Sequence, residues 1–88
     1  MKTDFTEDFS KELEKITVDK IKQKVYLAIL NVESANSLNE IINFKKLSGY
    51  KNAYRIKIGD YRIGIVVVEN TVLFVRVKHR KDIYKLFP

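Results

Sequence analysis

Residues 53–78 read AYRIKIGDYRIGIVVVENTVLFVRVK, and this stretch predicts most of the sheet. Apolar and polar residues alternate in it with a period of two, which predicts β-strands rather than helices. The dipeptides Gly59-Asp60 and Glu69-Asn70 interrupt the alternation and predict two tight turns, so the stretch divides into three strands. FKKL at 44–47 predicts a further short strand, and residues 2–5 have a weaker strand pattern.

Upstream of these strands, apolar residues recur at helical spacing and predict two helices. One apolar stripe consists of Phe5, Phe9, Leu13 and Ile16, and Thr6 is a suitable N-cap for its helix. A break near Thr17 begins a longer helix, whose predicted buried face is Val18, Ile21, Val25, Ala28, Ile29 and Val32. SLNE at 37–40 has the spacing of a capping box and predicts a helical turn over 38–42. The predicted fold class is α+β, with an N-terminal helical hairpin packed on one face of a small antiparallel sheet.

Length and composition exclude several classes of protein. With 88 residues, 45% of them hydrophobic, the chain is expected to form one domain over residues 1–88. It has no cysteine and one histidine, which excludes disulfide scaffolds and leaves little for a zinc site. No apolar run approaches the roughly 18 residues that span a bilayer, and the acidic start is unlike a signal peptide. We therefore expect a cytoplasmic protein without metal or cofactor.

The charge of +6 is distributed unevenly along the chain. Residues 1–44 contain six lysines and eight acidic residues, whereas residues 45–88 contain eleven basic and three acidic residues. The net charges of the two halves are therefore −2 and +8. Such asymmetry predicts that the C-terminal half binds a polyanion, either nucleic acid or an acidic protein. The alternative is a solvated basic surface that only maintains solubility.

Two-residue turns predict which side chains share a face of the sheet. With the first turn at Gly59-Asp60, Lys57 lies opposite Arg62 and Arg55 lies opposite Gly64, on the face away from the helices. Like charges directly opposite each other destabilise a sheet, by roughly 0.2 to 1 kcal/mol. Solubility alone does not require this arrangement, so it indicates a function.

The second turn extends this face to the end of the last strand. With the turn at Glu69-Asn70, Val77 is expected opposite Arg62, and His79 on the same face. Arg76 has the other parity and is expected to face the helices and to pair with an acidic helix residue. The predicted basic face therefore consists of Arg55, Lys57, Arg62 and His79, with Arg80 and Tyr84 at its edge.

LSGYKNAYRIKIGDYRIGI at 47–65, followed by RVKHRKDIY at 76–84, resembles the RelE/ParE superfamily of toxins from type II toxin–antitoxin systems. The resemblance covers nearly the whole chain and is closer to the RelE branch, since the ParE branch lacks the basic residues and tyrosine at the C-terminus. It implies a RelE-like, microbial-RNase-like fold. It also implies a metal-independent endoribonuclease that cuts mRNA in the ribosomal A site and inhibits translation. The implied partner is a cognate acidic antitoxin, in a hetero-oligomer that represses its own operon.

The resemblance also implies roles for individual residues. Lys57 matches a lysine that acts as general base, and Arg62 matches a conserved arginine of the sheet that stabilises phosphate. Arg55 has the same implied role and stands where the characterised member of the branch has lysine. Arg80 matches an arginine proposed as general acid, and Tyr84 matches a tyrosine that stacks on a base. These last two are closer together here than in that member. His79 is similar to a histidine that other relatives use near the C-terminus.

The residue types themselves suit the same chemistry. Metal-free RNA cleavage needs an activated 2′-hydroxyl, stabilisation of negative charge on phosphorus and a proton for the leaving 5′-oxygen. The guanidinium groups of Arg55 and Arg62 match the geometry of a phosphate. Histidine has an ordinary pKa of about 6.5, which suits proton transfer at neutral pH and makes His79 a candidate acid or base. Lys78 and Lys81 are further candidate phosphate ligands.

Two other functions are compatible with the sequence. The first is a ParE-like toxin that is not a nuclease and binds DNA gyrase. The second is an inactive basic domain that binds only RNA or an antitoxin. The candidate residues also have purely structural interpretations: a lone histidine at a strand end is commonly structural, Arg80 is a possible surface cation, and Tyr84 a possible anchor for the C-terminal tail.

Overall fold

The computed structural model describes all 88 residues and contains five strands and three α-helices. The strands are β1 (Lys2–Phe5), β2 (Phe44–Lys46), β3 (Ala53–Ile58), β4 (Tyr61–Val68) and β5 (Thr71–His79). The helices are α1 (Glu7–Lys15), α2 (Asp19–Ser34) and α3 (Arg80–Leu86). None of these helices is both long and apolar enough to cross a membrane.

The five strands form one sheet in the order β1-β5-β4-β3-β2. The predicted two-residue turns are present at 59–60 and 69–70, so β3, β4 and β5 form a meander of antiparallel strands. β1 instead runs parallel to β5, and the sheet is therefore mixed rather than antiparallel throughout. The reason is that no hairpin joins β1 to its neighbour: the chain passes through both N-terminal helices and three strands before it reaches β5.

The predicted helical hairpin packs on one face of the sheet and confirms the α+β fold. The main core lies between these helices and the sheet, and its largest fully buried side chains are Phe9, Val25, Val32, Ile56, Ile63, Ile65, Val72, Phe74 and Val77. Two residues that were expected in the buried helical stripes lie elsewhere. Phe5 belongs to β1, where it stacks on Phe74 with ring centroids 5.1 Å apart. Val18 is the N-cap of α2, where it is 51% exposed.

The short helical segments depart from the prediction in detail. The turn expected over 38–42 is a 3-10 helix at Leu38–Glu40, and Ser37 makes no side-chain cap, so the capping box does not form. α3 was not predicted from the sequence; it packs on the opposite face of the sheet. Ile83 of α3 and Phe87, the C-cap of this helix, form a second, smaller core with Ala53 of β3. Both faces of the sheet are therefore partly covered.

A β-bulge interrupts the pairing of β4 with β5. Ile65 pairs with Phe74, but the next residue back, Gly64, pairs with Arg76, so Val75 has no partner on β4. The register beyond the bulge is shifted by one residue. The predicted pairing of Arg62 with Val77 is therefore wrong, and Arg62 lies opposite Lys78.

Thr6 stabilises both this bulge and the start of α1. Its backbone N–H donates to the carbonyl of Phe74 at 3.0 Å, and its hydroxyl donates to the carbonyl of Val75 at 2.6 Å. The same hydroxyl accepts a hydrogen bond from the backbone N–H of Phe9 at 3.0 Å, which confirms Thr6 as the N-cap of α1. One side chain thus satisfies a helix end and a bulged strand.

Thr6→Val preserves the shape of the side chain and removes the hydroxyl. We expect it to lower the free energy of unfolding by roughly 1 to 3 kcal/mol, because the N-cap bond and the bond to the bulge are both lost. Thr6→Ser is the matched control, since it retains the hydroxyl, and we expect it to lose less than about 1 kcal/mol. Urea denaturation followed by circular dichroism measures both. Equal losses in the two variants would show that the hydroxyl does not hold the bulge.

Candidate nucleic-acid interface

A group of cations lies on the face of the sheet on which α3 packs. The alternation of side chains along β3 and β4 and the observed strand pairs place them together. This group, called the basic face below, consists of Lys45, Arg55, Lys57, Arg62 and Lys78. The predicted pairs of Lys57 with Arg62 and of Arg55 with Gly64 are both present.

Three of these cations form a row across adjacent strands. Lys57 on β3 lies opposite Arg62 on β4, which lies opposite Lys78 on β5. Neighbouring strands are about 4.8 Å apart, so the side chains of Lys57 and Arg62 start side by side, whereas the Lys78 amine is directed to the Glu12 carboxylate at 3.5 Å. Lys57 and Arg62 have no carboxylate within 4 Å, so their repulsion opposes folding, and a polyanion bound across them would relieve it.

His79 lies on the other face of the sheet, contrary to the prediction. Because of the bulge, His79 pairs with Tyr61, whose neighbours along the same face belong to the main core. Its ring contacts the Tyr61 ring edge-on, with centroids 5.6 Å apart. On this side it lines a cavity of about 180 Å³ together with Glu12 and Asp82. The His79 ring thus lies on the other side of the sheet from Lys57 and Arg62, whereas Lys78 lines the same cavity.

The β3–β4 turn orients Arg62. Gly59 has a φ of 55°, a conformation that glycine adopts readily, and it lets the chain reverse in two residues. The Arg62 guanidinium donates from Nη1 to the carbonyls of Gly59 at 2.7 Å and of Tyr61 at 2.9 Å. Its other N–H groups make no hydrogen bond within the protein and face solvent. Lys57 is exposed and has no carboxylate within 4 Å.

A missing side chain at Gly64 determines where α3 lies. A Cβ atom at this position would be 2.6 Å from Cγ of the Phe87 ring, which is too close for any side chain to be accommodated without movement. The ring therefore lies directly on the backbone of β4, and Phe87 is 7% exposed. This contact holds the C-terminal end of α3 against the basic face.

α3 brings Tyr84 and Arg80 to the basic face. Tyr84 is 69% exposed, and its hydroxyl accepts a hydrogen bond from Nη1 of Arg55 at 3.1 Å. Arg80 begins the helix beside the β3–β4 turn, where its backbone N–H donates to the carbonyl of Asp60 at 2.7 Å. Its Nε lies 3.9 Å from Oδ1 of Asp60, and its side chain is 58% exposed. Arg80 therefore lies at the same end of the sheet as Lys57 and Arg62.

A buried carboxylate connects α1 to β5. Glu12 is 8% exposed and accepts hydrogen bonds from Nε and Nη2 of Arg76, the shortest at 2.6 Å, and from the backbone N–H of Val77 at 3.1 Å. The hydrogen bonds to Glu12 raise the pKa of Arg76 above its ordinary value, against the lowering effect of burial. The predicted pairing of Arg76 with an acidic helix residue is confirmed, but its predicted face is wrong, because beyond the bulge Arg76 lies opposite Gly64, on the side where α3 packs. Lys78 Nζ lies 3.5 Å from the same carboxylate, so this member of the basic face is paired with an acidic residue.

Two residues of this region were missed by the sequence analysis. Lys45 of β2 lies directly opposite Arg55, and the predicted strand at 44–47 contained the signal, since its alternation places Lys45 on that face. Glu12 had no such signal, because an acidic residue in a charged helix is ordinarily exposed. No group of three His, Cys, Asp or Glu side chains is arranged to hold a metal ion.

Comparisons with known proteins agree with this architecture. A family model described as the ParE toxin of the type II toxin–antitoxin system, parDE, matches residues 4–84. Toxin RelE3 of Methanocaldococcus jannaschii is 44% identical over 89 residues, covering 100% of both chains. The RelB–RelE antitoxin–toxin complex from Methanococcus jannaschii has a TM-score of 0.81 at 42% identity, covering 97% of this chain and 99% of that one. The isolated E. coli RelE toxin has a TM-score of 0.68 at 23% identity, over 89% and 82% of the two chains, and supports the fold alone.

The fold and the basic face define a small α+β protein of the RelE/ParE superfamily. Because the family model spans 81 of the 88 residues and a RelE toxin is 44% identical over the whole chain, this protein belongs to the ParE toxin family of type II toxin–antitoxin systems. Two relatives of more than 40% identity are RelE toxins, which confirms the predicted RelE type.

Gly64→Ala tests the contact that holds α3. The added methyl group must displace the Phe87 ring, and we expect the free energy of unfolding to fall by roughly 1 to 3 kcal/mol, as for other overpacked sites. Phe87→Ala removes the ring, so the double variant should be no less stable than Phe87→Ala alone. Urea denaturation of the three variants measures this coupling. Additive losses in the double variant would contradict a direct contact between the two residues.

Proposed function

We propose that this protein is a metal-independent endoribonuclease that cleaves messenger RNA on the ribosome and thereby inhibits translation. The row formed by Lys57, Arg62 and Lys78 is the observation that carries this proposal. Lys57 and Arg62, which lie directly opposite each other without a carboxylate partner, oppose folding of the sheet, and a bound phosphate backbone compensates for their repulsion.

In this proposal, arginine side chains bind the phosphate at which the chain is cut. Arg62 is oriented by two backbone carbonyls and keeps further N–H donors for a phosphate oxygen. Arg55 lies on the same face, two residues along β3 from Lys57. Guanidinium groups bind phosphate oxygens in pairs and remain charged while negative charge develops in the transition state. Lys78 and Lys81 extend the positive surface along the RNA backbone.

The cleavage step is an attack by the 2′-oxygen on the adjacent phosphorus. The bond from phosphorus to the 5′-oxygen breaks, which leaves a 2′,3′-cyclic phosphate and a 5′-hydroxyl. We assign Lys57 to accept the 2′ proton. An amine must be neutral to do so, and nearby positive charges without a carboxylate favour the neutral form: Lys57 lies opposite Arg62 and has no carboxylate partner, whereas the Lys78 amine lies beside Glu12. Arg80 is the candidate proton donor to the leaving 5′-oxygen, since it lies at the same end of the sheet.

Tyr84 is assigned to stack on a base next to the cleaved bond. Its ring is exposed, while its hydroxyl is held by Arg55, so its face is available and its position is restricted. Stacking of a base on an aromatic ring contributes roughly 1 to 3 kcal/mol and tolerates any base. The ring therefore supplies affinity and alignment rather than sequence recognition.

The exposure of these residues supports dependence on the ribosome. Arg80 and Tyr84 lie along an open face and are both more than half exposed. An open face binds RNA but does not by itself fix the near-attack geometry that cleavage requires. A second surface, supplied by the ribosome, would press the mRNA against the basic face and complete the site.

The proposed partner is an acidic antitoxin. A relative of 42% identity was solved as a complex of RelE with RelB. The present chain carries a net charge of +6, which favours an acidic partner, and its α2 exposes more than half of Tyr26, Leu27 and Leu30. An apolar strip beside a basic sheet suits a segment that folds on binding and contacts both. Toxin and antitoxin would together repress their operon.

A second candidate function follows from the family that the chain matches. The matching model is that of ParE toxins, which favours a toxin that is not a nuclease and acts by binding DNA gyrase. The row of cations and the exposed Tyr84 support the ribonuclease instead, because a protein target does not require a surface on which a base can stack. The two functions predict different cellular responses.

Tightly induced expression in a bacterial host tests the proposal directly. We expect incorporation of labelled methionine to stop rapidly after induction, and primer extension on a reporter mRNA to show cuts confined to translated codons. The same reporter with its start codon removed is the control and should remain intact. Continued translation together with a DNA damage response would contradict the nuclease and support the gyrase-binding function.

The double variant Arg62→Ala/Arg80→Ala is included in the same assay. We expect it to remove both cleavage and toxicity while the protein remains folded, because neither side chain belongs to either core. Lys20→Ala/Lys24→Ala, on the exposed side of α2, is the matched control, since it removes the same charge elsewhere. Cleavage that survives in the first variant at equal protein levels would overturn the proposed site.

A further inference from the structure

We propose that His79 is a positioning residue: its imidazole caps α3 and thereby holds Arg80 and Tyr84 at the basic face, without taking part in proton transfer. This inference rests on the proposed nuclease function for its kinetic consequence. The structural part of the proposal, that His79 holds α3 in place, depends only on the contacts that His79 makes.

The cap is formed by a ring nitrogen. His79 is the last residue of β5 and the N-cap of α3, with an extended backbone (φ −58°, ψ 147°). Its Nδ1 accepts a hydrogen bond from the backbone N–H of Lys81 at 3.2 Å. An N-cap satisfies a backbone donor that has no partner within the helix, and asparagine, aspartate and serine usually supply the acceptor. Here the acceptor is an imidazole, and protonation of Nδ1 would abolish it.

α3 depends on such a cap because it is short. It has seven residues, and an isolated helix of this length does not persist in water. Ile83 and Phe87 hold its C-terminal half against the sheet. Its first turn is held by two hydrogen bonds from backbone N–H groups, the His79 cap and the bond from the Arg80 N–H to the Asp60 carbonyl, beside the longer contact of Arg80 Nε with Asp60 Oδ1 at 3.9 Å. The position of Arg80 is therefore set by two hydrogen bonds at the junction of β5 and α3.

The imidazole itself is held in place on the core side of the sheet, the side opposite the one on which α3 packs. Tyr61, directly opposite in the strand register, packs against it edge-on. Lys15, Glu12, Lys78 and Asp82 line the same cavity, which includes none of Arg55, Lys57 and Arg62. A ring that is fixed on the core side of the sheet, with Nδ1 occupied by a backbone donor, is suited to orient the neighbouring residues.

Two substitutions of His79 by amide side chains of different length distinguish a capping role from a role in acid–base chemistry. His79→Asn supplies a side-chain acceptor in the position that N-caps favour, whereas His79→Gln places the same amide one methylene further out. Neither amide transfers protons at neutral pH, and His79→Ala removes all acceptors. The full-length variants are compared by hydrogen exchange of the α3 amides and by single-turnover cleavage of mRNA on programmed ribosomes.

We expect α3 amides to exchange roughly fivefold faster in the Ala and Gln variants than in the wild type, and the Asn variant to remain protected. Cleavage should follow the same order: the Asn variant within about threefold of wild type, and the Ala and Gln variants at least about tenfold slower, because a small displacement of a reacting group has a large kinetic effect. Toxicity in cells should rank the four proteins in the same way.

Two results would overturn the proposal. Equal α3 protection in all four proteins would show that His79 does not cap the helix. Equal loss of cleavage in the Asn, Gln and Ala variants, with α3 still protected in the Asn variant, would make His79 a catalytic acid or base. If the wild-type protein cleaves no RNA, the proposed nuclease function fails, and hydrogen exchange still decides whether His79 holds α3.

Discussion

The extra residue that β5 accommodates at Val75 determines which side chains share the basic face. Without it, Arg62 would lie opposite Val77, and His79 would join the cations. With it, Lys78 completes the row and His79 turns to the core side, where it begins α3. Thr6 stabilises this arrangement, because it bonds the carbonyls of two successive residues of β5. A single hydroxyl near the start of the chain thus influences the composition of a surface formed seventy residues later.

The bulge and the packing of α3 act at the same place in the sheet. Gly64 flanks the bulge, and its backbone is also the surface on which the Phe87 ring lies. The cations occupy the part of the face that α3 leaves uncovered, with Tyr84 at the boundary. Burying those charges would require desolvation without partners, so the helix covers only the apolar half of the face. Because α3 covers only the apolar half of this face, the charged half remains exposed as an open binding surface.

Much of the fold could be predicted from the sequence because its signals are local. Alternation, two turn dipeptides and two apolar stripes predicted the strands and the helical hairpin, and the first turn predicted the pairing of Lys57 with Arg62. The register beyond the bulge was not predictable, since the residue that shifts it, Val75, is apolar and ordinary for a strand. The residue that stabilises the bulge is Thr6, which is about seventy residues away in the sequence, so no local pattern indicates the bulge. His79 was accordingly assigned to the wrong face, although its neighbourhood was recognised as important.

In the proposed complex, RNA lies across Lys57, Arg62 and Lys78 while α3 presents Arg80 and Tyr84 to it. A cryo-electron microscopy structure of the protein on a ribosome programmed with mRNA in which the attacking 2′-oxygen is methylated tests this arrangement, since the methyl group blocks cleavage. We expect a phosphate in contact with Arg62, the blocked 2′-oxygen within reach of Lys57, and a base stacked on Tyr84. An mRNA bound on the α1–α2 side, or next to the His79 ring, would contradict it.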